Sequence, residues 1–436
     1  MSPRSTTTVS ESTHLGQSSS SNGATSPSSL LGKHVGMVTF SPFPYDPRPR
    51  RAVDALLKAG MSVDLVCLND SDLSRTDGNA ALSIYRIPIA NRRGSKLSYV
   101  FRYAIFILLS TLILALRSLK RRYDLVYVHN MPDILVVTAL LPKTLGAKII
   151  LDLHDPMPEL METIFGLAKD SISGKLIRYL EKWSIDRTDL VLTVNAACRR
   201  LFGERSGGGQ KIGVVMNSPD EEIFSFRPPE TRWASNPKRA GFVIIYHGSL
   251  VERNGLDLAV EAMATLRKIV SGAELRIYGR ATPFLNRVMS GVRNTGLQDH
   301  VRYLGPKSLE ELVPVIADCD VGVIPNRDSA FAAINTPTRI FEYLVLGKPV
   351  IAPHSQGIVD YFDDTSLIYF ELGNAEDLTR KLEYVFSHPD EATEIVKKGQ
   401  AVYQGHSWYV ESKRLTSLVG GLLGNCSSIS SADRRL

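Results

Sequence analysis

With 436 residues, 44% of them hydrophobic and 22% charged, the chain is long enough for more than one globular domain. Its four isolated cysteines lack the spacing of metal ligands or of a disulfide framework, which favours a reducing, cytoplasmic setting. The net charge of +6 comes from a local patch, because nine basic residues and no acidic ones lie between Gly78 and Tyr123. The basicity is therefore local, and the sequence shows no aromatic-interleaved basic motif of the nucleic-acid-binding kind, so nucleic-acid binding is not expected.

The composition divides the chain into six parts. Residues 1–32 are rich in Ser and Thr and are expected to be a disordered tail without a secretory signal. A first α/β domain is predicted over 33–220, followed by a linker at 221–240 rich in Pro and charge. A second α/β domain follows over 241–405. We expect a last helix at 406–424 to pack back toward the first domain, and a loose tail at 425–436.

The first domain opens with a strand, a loop, a helix and a strand. The strands are predicted at His34–Phe40 and Ser62–Leu68, and the helix at about Arg51–Lys58. This βαβ order predicts a parallel sheet, whose strand ends face the ligand crevice. The Pro-rich loop before the helix is expected to be neither helix nor central strand. Its polar side chains are candidates for the acceptor site, or alternatively a solvated loop: Asp46, Arg48 and Arg51.

A helix is predicted at about Tyr99–Arg122. The uncharged run Tyr103–Leu116 would span roughly 21 Å, short of a ~30 Å hydrocarbon core, so a transmembrane span is not expected. Two interpretations stay open. The helix is buried against the sheet, or it lies in the membrane interface with the basic segment 92–122 on anionic head groups.

Two further strands end in polar residues. The strand Asp124–His129 precedes Asn130 and Asp133, which we also assign to the acceptor site. The strand Lys148–Leu153 runs into His154. A histidine at this position is expected to face the ligand, although a structural role is the alternative.

The second domain again begins with a strand, a glycine-containing loop and a helix. Phe242–His247 is followed by Gly248, Ser249 and Arg253. Glycine allows close approach of the backbone to a ligand, and an arginine there can hold a phosphate.

The segment from Asn335 to Ala352 combines several helix signals. Asn335 or Thr336 is expected to cap a helix whose first residue is Pro337. Arg339 and Glu342 lie one turn apart at the helix start, so a cation and a carboxylate face one ligand. A nucleotide sugar has the matching phosphate and hydroxyl groups. A capped helix with a surface ion pair is the alternative.

Taken together, four segments resemble the family 4 glycosyltransferases. They are 43–48, 151–155, 247–255 and 336–350, the last being the most specific. The resemblance implies an α/β, GT-B fold of two facing Rossmann-like domains with parallel sheets and an inter-domain cleft.

The resemblance also implies retaining transfer from a nucleotide sugar, with UDP or GDP as the nucleotide and no metal or further cofactor. Glu342 matches the glutamate that binds the ribose, and Arg253 and Arg339 match cations that neutralise the leaving diphosphate. Turns at Gly248–Ser249 and Asn335–Thr336 match the diphosphate cradle. The catalytic set so implied is His154, Arg253 and Arg339.

The chain departs from the family pattern at two positions. Ile334 stands eight residues before Glu342, where a sugar-contacting glutamate often occurs, and Asn254 replaces a usual lysine. Our leading hypothesis is a glycosyltransferase on the cytoplasmic face of a membrane that extends a lipid-linked or polysaccharide acceptor. The alternatives are another GT-B enzyme, such as a nucleotide-sugar epimerase or hydrolase, and a non-catalytic sugar-nucleotide-binding subunit.

Overall fold

The computed structural model describes residues 30–69, 79–89, 96–229 and 241–424. Residues 1–29, 425–436 and most of the predicted linker lie outside these ranges. The described residues form two α/β domains with parallel sheets, so the expected fold class is confirmed.

The first domain contains a seven-stranded parallel sheet. Its strands are β1 (His34–Pro42), β2 (Ser62–Leu68), β3 (Leu82–Ile87), β4 (Leu125–His129), β5 (Lys148–Leu153), β6 (Leu190–Thr193) and β7 (Ile212–Val214). Their order in the sheet is β3-β2-β1-β4-β5-β6-β7, so the direction of winding reverses between β1 and β4. Ligand crevices form at such reversal points, outside the carboxyl ends of the strands.

Helices cover both faces of this sheet. They are α1 (Pro47–Lys58), α2 (Lys96–Lys120), α3 (Leu140–Thr144), α4 (Met157–Phe165), α5 (Ile172–Asp186) and α6 (Ala196–Ser206), with a 3₁₀ segment at Asp133–Ala139. One core cluster joins the sheet to α2, the 3₁₀ segment, α5 and α6, and a second joins its other face to α1.

The second domain has a six-stranded parallel sheet of order β10-β9-β8-β11-β12-β13. Its strands are β8 (Phe242–His247), β9 (Ala273–Tyr278), β10 (Val301–Tyr303), β11 (Val321–Val323), β12 (Val350–Pro353) and β13 (Ile368–Phe370). Its helices are α7 (Leu256–Ile269), α8 (Pro283–Asn294), α9 (Leu309–Ala317), α10 (Arg339–Val345), α11 (Gln356–Val359), α12 (Ala375–Ser387) and α13 (Pro389–Gly405).

The last helix, α14 (Trp408–Leu423), returns to the first domain. Leu415 and Val419 belong to the core cluster that also contains α1. The buried carboxylate of Glu411 accepts a 2.9 Å hydrogen bond from the backbone N–H of Met216. The chain therefore crosses between the domains twice.

Two predicted helix starts were wrong. The Pro-rich segment is helical, because α1 begins at Pro47 and Asp46 caps it by accepting from the N–H of Arg48. Proline is tolerated in a first turn, where its missing N–H has no helical partner to lose. The helix expected from Pro337 begins only at Arg339, with Thr338 as its N-cap residue and no side-chain capping bond.

The helix predicted at about Tyr99–Arg122 is present as α2, and the whole helix is longer than the uncharged run that was used to argue against a transmembrane span. Helix α2 has 25 residues, or about 37 Å. Its segment Val100–Lys120 has a mean hydropathy of 1.9 and is long and apolar enough to cross a membrane, and only 17% of its most apolar window is buried. Phe106, Leu114 and Ser118 nevertheless pack inward at helical spacing, so one face of α2 belongs to the domain core.

Candidate active site

The carboxyl ends of the two sheets face each other across a cleft, and a buried amide joins the domains on one side of it. Asn195, at the start of α6, donates to the carbonyl of Ile334 at 2.8 Å and to the Thr336 hydroxyl at 3.0 Å. Its own side-chain oxygen accepts from the N–H of Cys198 at 2.7 Å, which caps α6. This fully buried residue therefore fixes the loop before α10 against the first domain.

Arg339 lies at the start of α10 and reaches the turn after β8. Its Nη1 donates to the His247 carbonyl at 2.7 Å, and its guanidinium lies 4.9 Å from the centroid of the Tyr246 ring. Gly248 has φ +119, and a Cβ there would lie 3.4 Å from Cδ of Arg339. Because residue 248 has no side chain, Arg339 lies directly beside the exposed backbone turn at Gly248.

Glu342, one turn further along α10, is 9% exposed. Its Oε2 lies 3.3 Å from Nε2 of His247. Burial raises the pKa of Glu342 to about 7, while the charges of Arg339 and Arg51 act in the opposite direction. Burial and then Arg339 lower the pKa of His247 to about 3, so this imidazole is neutral at physiological pH and forms no ion pair with Glu342.

Arg253 lies in the 3₁₀ turn Glu252–Asn254 that follows the β8 loop. Its Nε is buried and has no hydrogen-bond partner among the described residues. Burial lowers the pKa of Arg253, and the negative charge of Asp155, in the first domain, opposes this shift. A partly buried arginine whose Nε lacks a partner favours an anionic ligand, because a poorly compensated charge is costly to bury.

The β8 loop is held by its own side chains. The Ser249 carbonyl accepts from the Tyr246 hydroxyl and from the Asn254 amide, both at 2.9 Å. Asn254, which replaces the lysine of the family pattern, thus braces the loop. Gly248 and Ser249 are exposed.

The loop before α10 is more tightly engaged than the sequence suggests. The Thr336 hydroxyl accepts from Asn195 and donates to the Gly357 carbonyl, so it is committed to the domain contact. Neither Asn335 nor Thr336 caps α10. The Ile334 side chain packs against the core cluster of the first domain. Ile334 is therefore part of the contact between the domains.

His154 and the residues after β4 form one connected group. Asn130 accepts from the N–H of His154 at 3.2 Å and donates to Asp133 Oδ1 at 3.0 Å. His154 Nδ1 and Asp133 Oδ2 are buried and have no hydrogen-bond partner within the described ranges. Burial raises the pKa of Asp133 to about 6, although Asn130 and His154 oppose the shift. Asp133 is only 2% exposed, so it lies beneath the site surface.

Arg48 has internal partners, which its acceptor-site assignment did not anticipate. Its guanidinium binds both oxygens of Asp152 at 2.7–3.1 Å and donates to the Val215 carbonyl at 2.7 Å. It also donates to the Asn217 side chain. We therefore assign Arg48 a structural role in tying α1 to β5, and Asp46 a role as the cap of α1.

Sequence reasoning missed Asp152, Asn195 and His247. Asp152 is a carboxylate within the apolar strand β5. A carboxylate in a buried strand needs a partner, so its position could have predicted an internal ion pair. His247 is likewise a polar residue at the end of the buried strand β8. Asn195 had no comparable signal, because its partners lie 139 and 141 residues away.

Two family models match the chain. One, described as glycosyl transferases group 1, matches residues 229–402, and a glycosyl transferase 4-like domain matches residues 46–218. A GDP-mannose-dependent alpha-(1-6)-phosphatidylinositol monomannoside mannosyltransferase of Mycobacterium tuberculosis is 29% identical over 178 residues. That match covers 39% of this chain and 46% of the relative. The chain spans less than two thirds of the first curated relatives that it matches.

Solved structures share the fold. Sucrose-phosphate synthase from Thermosynechococcus elongatus has a TM-score of 0.72 at 15% identity, covering 90% of this chain and all of that chain. Anabaena HepE in complex with UDP-glucose has a TM-score of 0.65 at 14% identity, covering 89% and 99%. The two family models and this fold define the class: the chain belongs to the glycosyltransferases of the GT-B type, with the family-4-like N-terminal domain.

Proposed function

We propose that the protein is a retaining glycosyltransferase whose second domain binds UDP or GDP of a nucleotide-sugar donor. Arg339 lies over the Tyr246 ring beside the exposed turn at Gly248, and Arg253 follows that turn in the chain and interacts electrostatically with the same tyrosine. The observation that carries the proposal is this pair of arginines, one of which has a buried Nε with no described partner. The donor complex of HepE and the GDP-dependent relative support the choice of nucleotide.

The residues suggest how transfer proceeds. A departing nucleoside diphosphate gains negative charge, and two preorganised guanidinium groups stabilise that charge without having to reorganise. We propose that no metal ion is needed for this step. Same-face attack, with the leaving phosphate accepting the acceptor's proton, retains the anomeric configuration. His154 then faces the donor sugar from the first domain.

The acceptor is proposed to be lipid-linked or a glycan, used at the cytoplasmic face of a membrane. The mycobacterial relative is, by its name, a mannosyltransferase for phosphatidylinositol monomannoside, which is a lipid. The apolar helix α2, whose outer face is exposed, supports contact with a membrane. The acceptor residues proposed from sequence, Asn130 and Asp133, lie in one bonded group with His154.

Donor binding is tested by thermal stabilisation and calorimetry with UDP, GDP and ADP, and then with their sugars. Arg253→Ala and Arg339→Ala should each weaken binding of the preferred nucleotide by roughly tenfold to a hundredfold, since each removes a charge-assisted contact. Arg339→Lys separates loss of charge from loss of geometry. Arg380→Ala, which removes an exposed arginine of α12, is the matched control and should bind as the wild type does.

The outcomes distinguish the alternatives. Nucleotide affinity that is unchanged in both arginine variants would place the donor elsewhere and overturn the proposal. Binding without transfer to any acceptor would favour the non-catalytic subunit. Release of free sugar, or epimerised donor, would favour the hydrolase or the epimerase.

A further inference from the structure

Helix α2 exposes an apolar stripe along its outer face. Phe101, Leu108, Leu112, Leu116 and Leu119 are 53–70% exposed. They recur at helical spacing and lie opposite the face that packs on the sheet. Single exposed apolar residues are common, but a continuous stripe of five indicates an interaction surface.

A second exposed apolar group lies on α4 and α5, which the sequence did not single out. Ile172, Leu176 and Tyr179 follow the i, i+4, i+7 pattern on α5 and are 88%, 54% and 63% exposed. Ile164 and Phe165, at the end of α4, are 45% and 44% exposed. These side chains form an outward-facing group around the connection between α4 and α5.

Both groups lie on the same side of the molecule. Helices α2 and α5 each contact the 3₁₀ segment Asp133–Ala139 between them, and all three share one core cluster on one face of the sheet. Each helix connects the carboxyl end of one parallel strand to the amino end of the next, so it runs from the edge of the sheet at the cleft to the opposite edge. The outer faces of α2 and α5 therefore both begin near the cleft. The two apolar groups therefore lie side by side on one surface, which extends to the cleft edge.

The charges around these groups are mainly positive. Residues 96–122 include six basic residues and no acidic one, and Lys120, Arg121 and Arg122 are exposed at the end of α2. Around α5 the charges are nearly balanced, because Lys169 pairs with Glu162 and Lys182 with Asp186, so the positive excess lies at α2. A long apolar helix face with cationic flanks matches an anionic lipid interface.

We propose that the outer faces of α2, α4 and α5 together form the membrane-docking surface, which binds a bilayer containing anionic lipid. The functional meaning rests on the proposed glycosyl transfer to a lipid-linked acceptor. With this surface on the bilayer, the end of α4 at Ile164 and Phe165 touches the membrane, and its start, Met157, follows His154 by three residues. A lipid-linked acceptor then reaches the cleft along α4 without leaving the membrane.

The test is sedimentation of the full chain with vesicles of phosphatidylcholine alone or mixed with phosphatidylglycerol. The wild type should bind the mixed vesicles preferentially. Leu112→Ser/Leu116→Ser in α2 and Ile172→Ser/Leu176→Ser in α5 should each weaken that binding about tenfold or more, since each removes two apolar side chains from the interface. Ile269→Ser, at a 50% exposed position of the second domain, is the matched control and should bind normally.

Spin labels give an independent measurement that does not depend on affinity. A nitroxide at Leu112→Cys or Leu176→Cys, in a Cys426→Ser background, should be shielded from an aqueous relaxation agent by vesicles. The same label at Lys58→Cys, which is 79% exposed on α1 on the other face of the sheet, should stay accessible.

Three results would overturn the proposal. The first is a wild type that does not bind the mixed vesicles, and the second is an α5 variant that binds them as tightly as the wild type does. The third is a dimer that the wild type forms without lipid and that the α2 or α5 serine variants do not form. The nucleotide affinity, measured by calorimetry, should be unchanged in the α2 and α5 serine variants. A wild type that binds the vesicles but no nucleotide-sugar donor would instead contradict the proposed transfer activity without contradicting the proposed docking surface.

Discussion

At the scale of single residues, Glu342 illustrates how burial changes a side chain that the sequence had identified by spacing. The sequence paired it with Arg339 as a cation and a carboxylate on one helix turn. In the structure Arg339 binds the His247 carbonyl, and Glu342 lies against a neutral imidazole. The carboxyl is therefore left without a strong counter-ion and titrates near neutral pH.

This titration predicts a pH dependence of nucleotide binding. A carboxylate that accepts from ribose hydroxyls must be ionised, and its pKa in the free protein is about 7. Binding should then release a proton, and affinity should fall as the pH drops below 7, approaching tenfold per pH unit. Calorimetry between about pH 5.5 and 8.5, a range that brackets the pKa of Glu342, would measure this pH dependence of affinity.

Glu342→Gln is the control for the ionisation of the nucleotide itself. Its affinity should be lower at pH 8 but should depend on pH only through the phosphate groups. An equal pH dependence in the two proteins would show that Glu342 is not the titrating group.

At the scale of elements, the turn between β8 and α7 depends on one glycine. Gly255 has φ +66, and a Cβ there would lie directly against the Pro325 carbonyl oxygen. This left-handed position holds Arg253 at the cleft, because Gly255 ends its 3₁₀ turn. The sequence identified the glycine-containing loop, whereas the close approach of residue 325 required the tertiary structure.

Gly255→Ala should therefore lower the free energy of unfolding by at least about 2 kcal/mol and weaken nucleotide binding through displacement of Arg253. Gly291→Ala in α8 is the matched substitution, because a Cβ there meets nothing within 4 Å. It should raise stability by about 0.5–1 kcal/mol. Chemical denaturation of the two variants measures both effects, and equal stabilities would contradict the steric argument.

Helix α2 shows where sequence reasoning about an element succeeded in part. The long uncharged run with basic flanks predicted the helix and left open whether it was buried or interfacial. The structure shows that the inner face is buried and the outer face exposed. The uncharged run alone is shorter than a hydrocarbon core, whereas the whole helix, which continues at both ends, is longer than one.

At the scale of the whole molecule, the relative position of the domains depends on contacts of α6 with the second domain. Asn195 is the buried part of this contact, and the Tyr361 hydroxyl accepts from the N–H of Ala196 at 2.8 Å. Arg200 and Asp360 add an ion pair at the edge, where Arg200 is 49% exposed.

Asn195→Asp should loosen the domain contact. The carboxylate can still cap α6, but it cannot donate to Ile334 and Thr336 and is buried against a carbonyl. We expect a loss of roughly 2–3 kcal/mol in the free energy of unfolding and a larger radius of gyration by small-angle scattering. Arg200→Gln should cost less than about 1 kcal/mol, because exposed ion pairs contribute little. A compact, fully stable Asn195→Asp protein would contradict this role.

The sequence by itself determined the two parallel-sheet domains, since apolar strands alternating with helices allow few other arrangements. It also located Arg253, Arg339, Glu342 and His154 at or near strand or helix ends, which is where ligands of parallel sheets commonly bind. Only the tertiary structure decided which polar groups already have partners. Arg48 is bound by Asp152, Thr336 by Asn195, and Ile334 by the opposite domain. These partners are far apart in sequence, so local sequence patterns do not indicate them. Burial and pairing together decide whether a side chain is structural or free to bind a ligand.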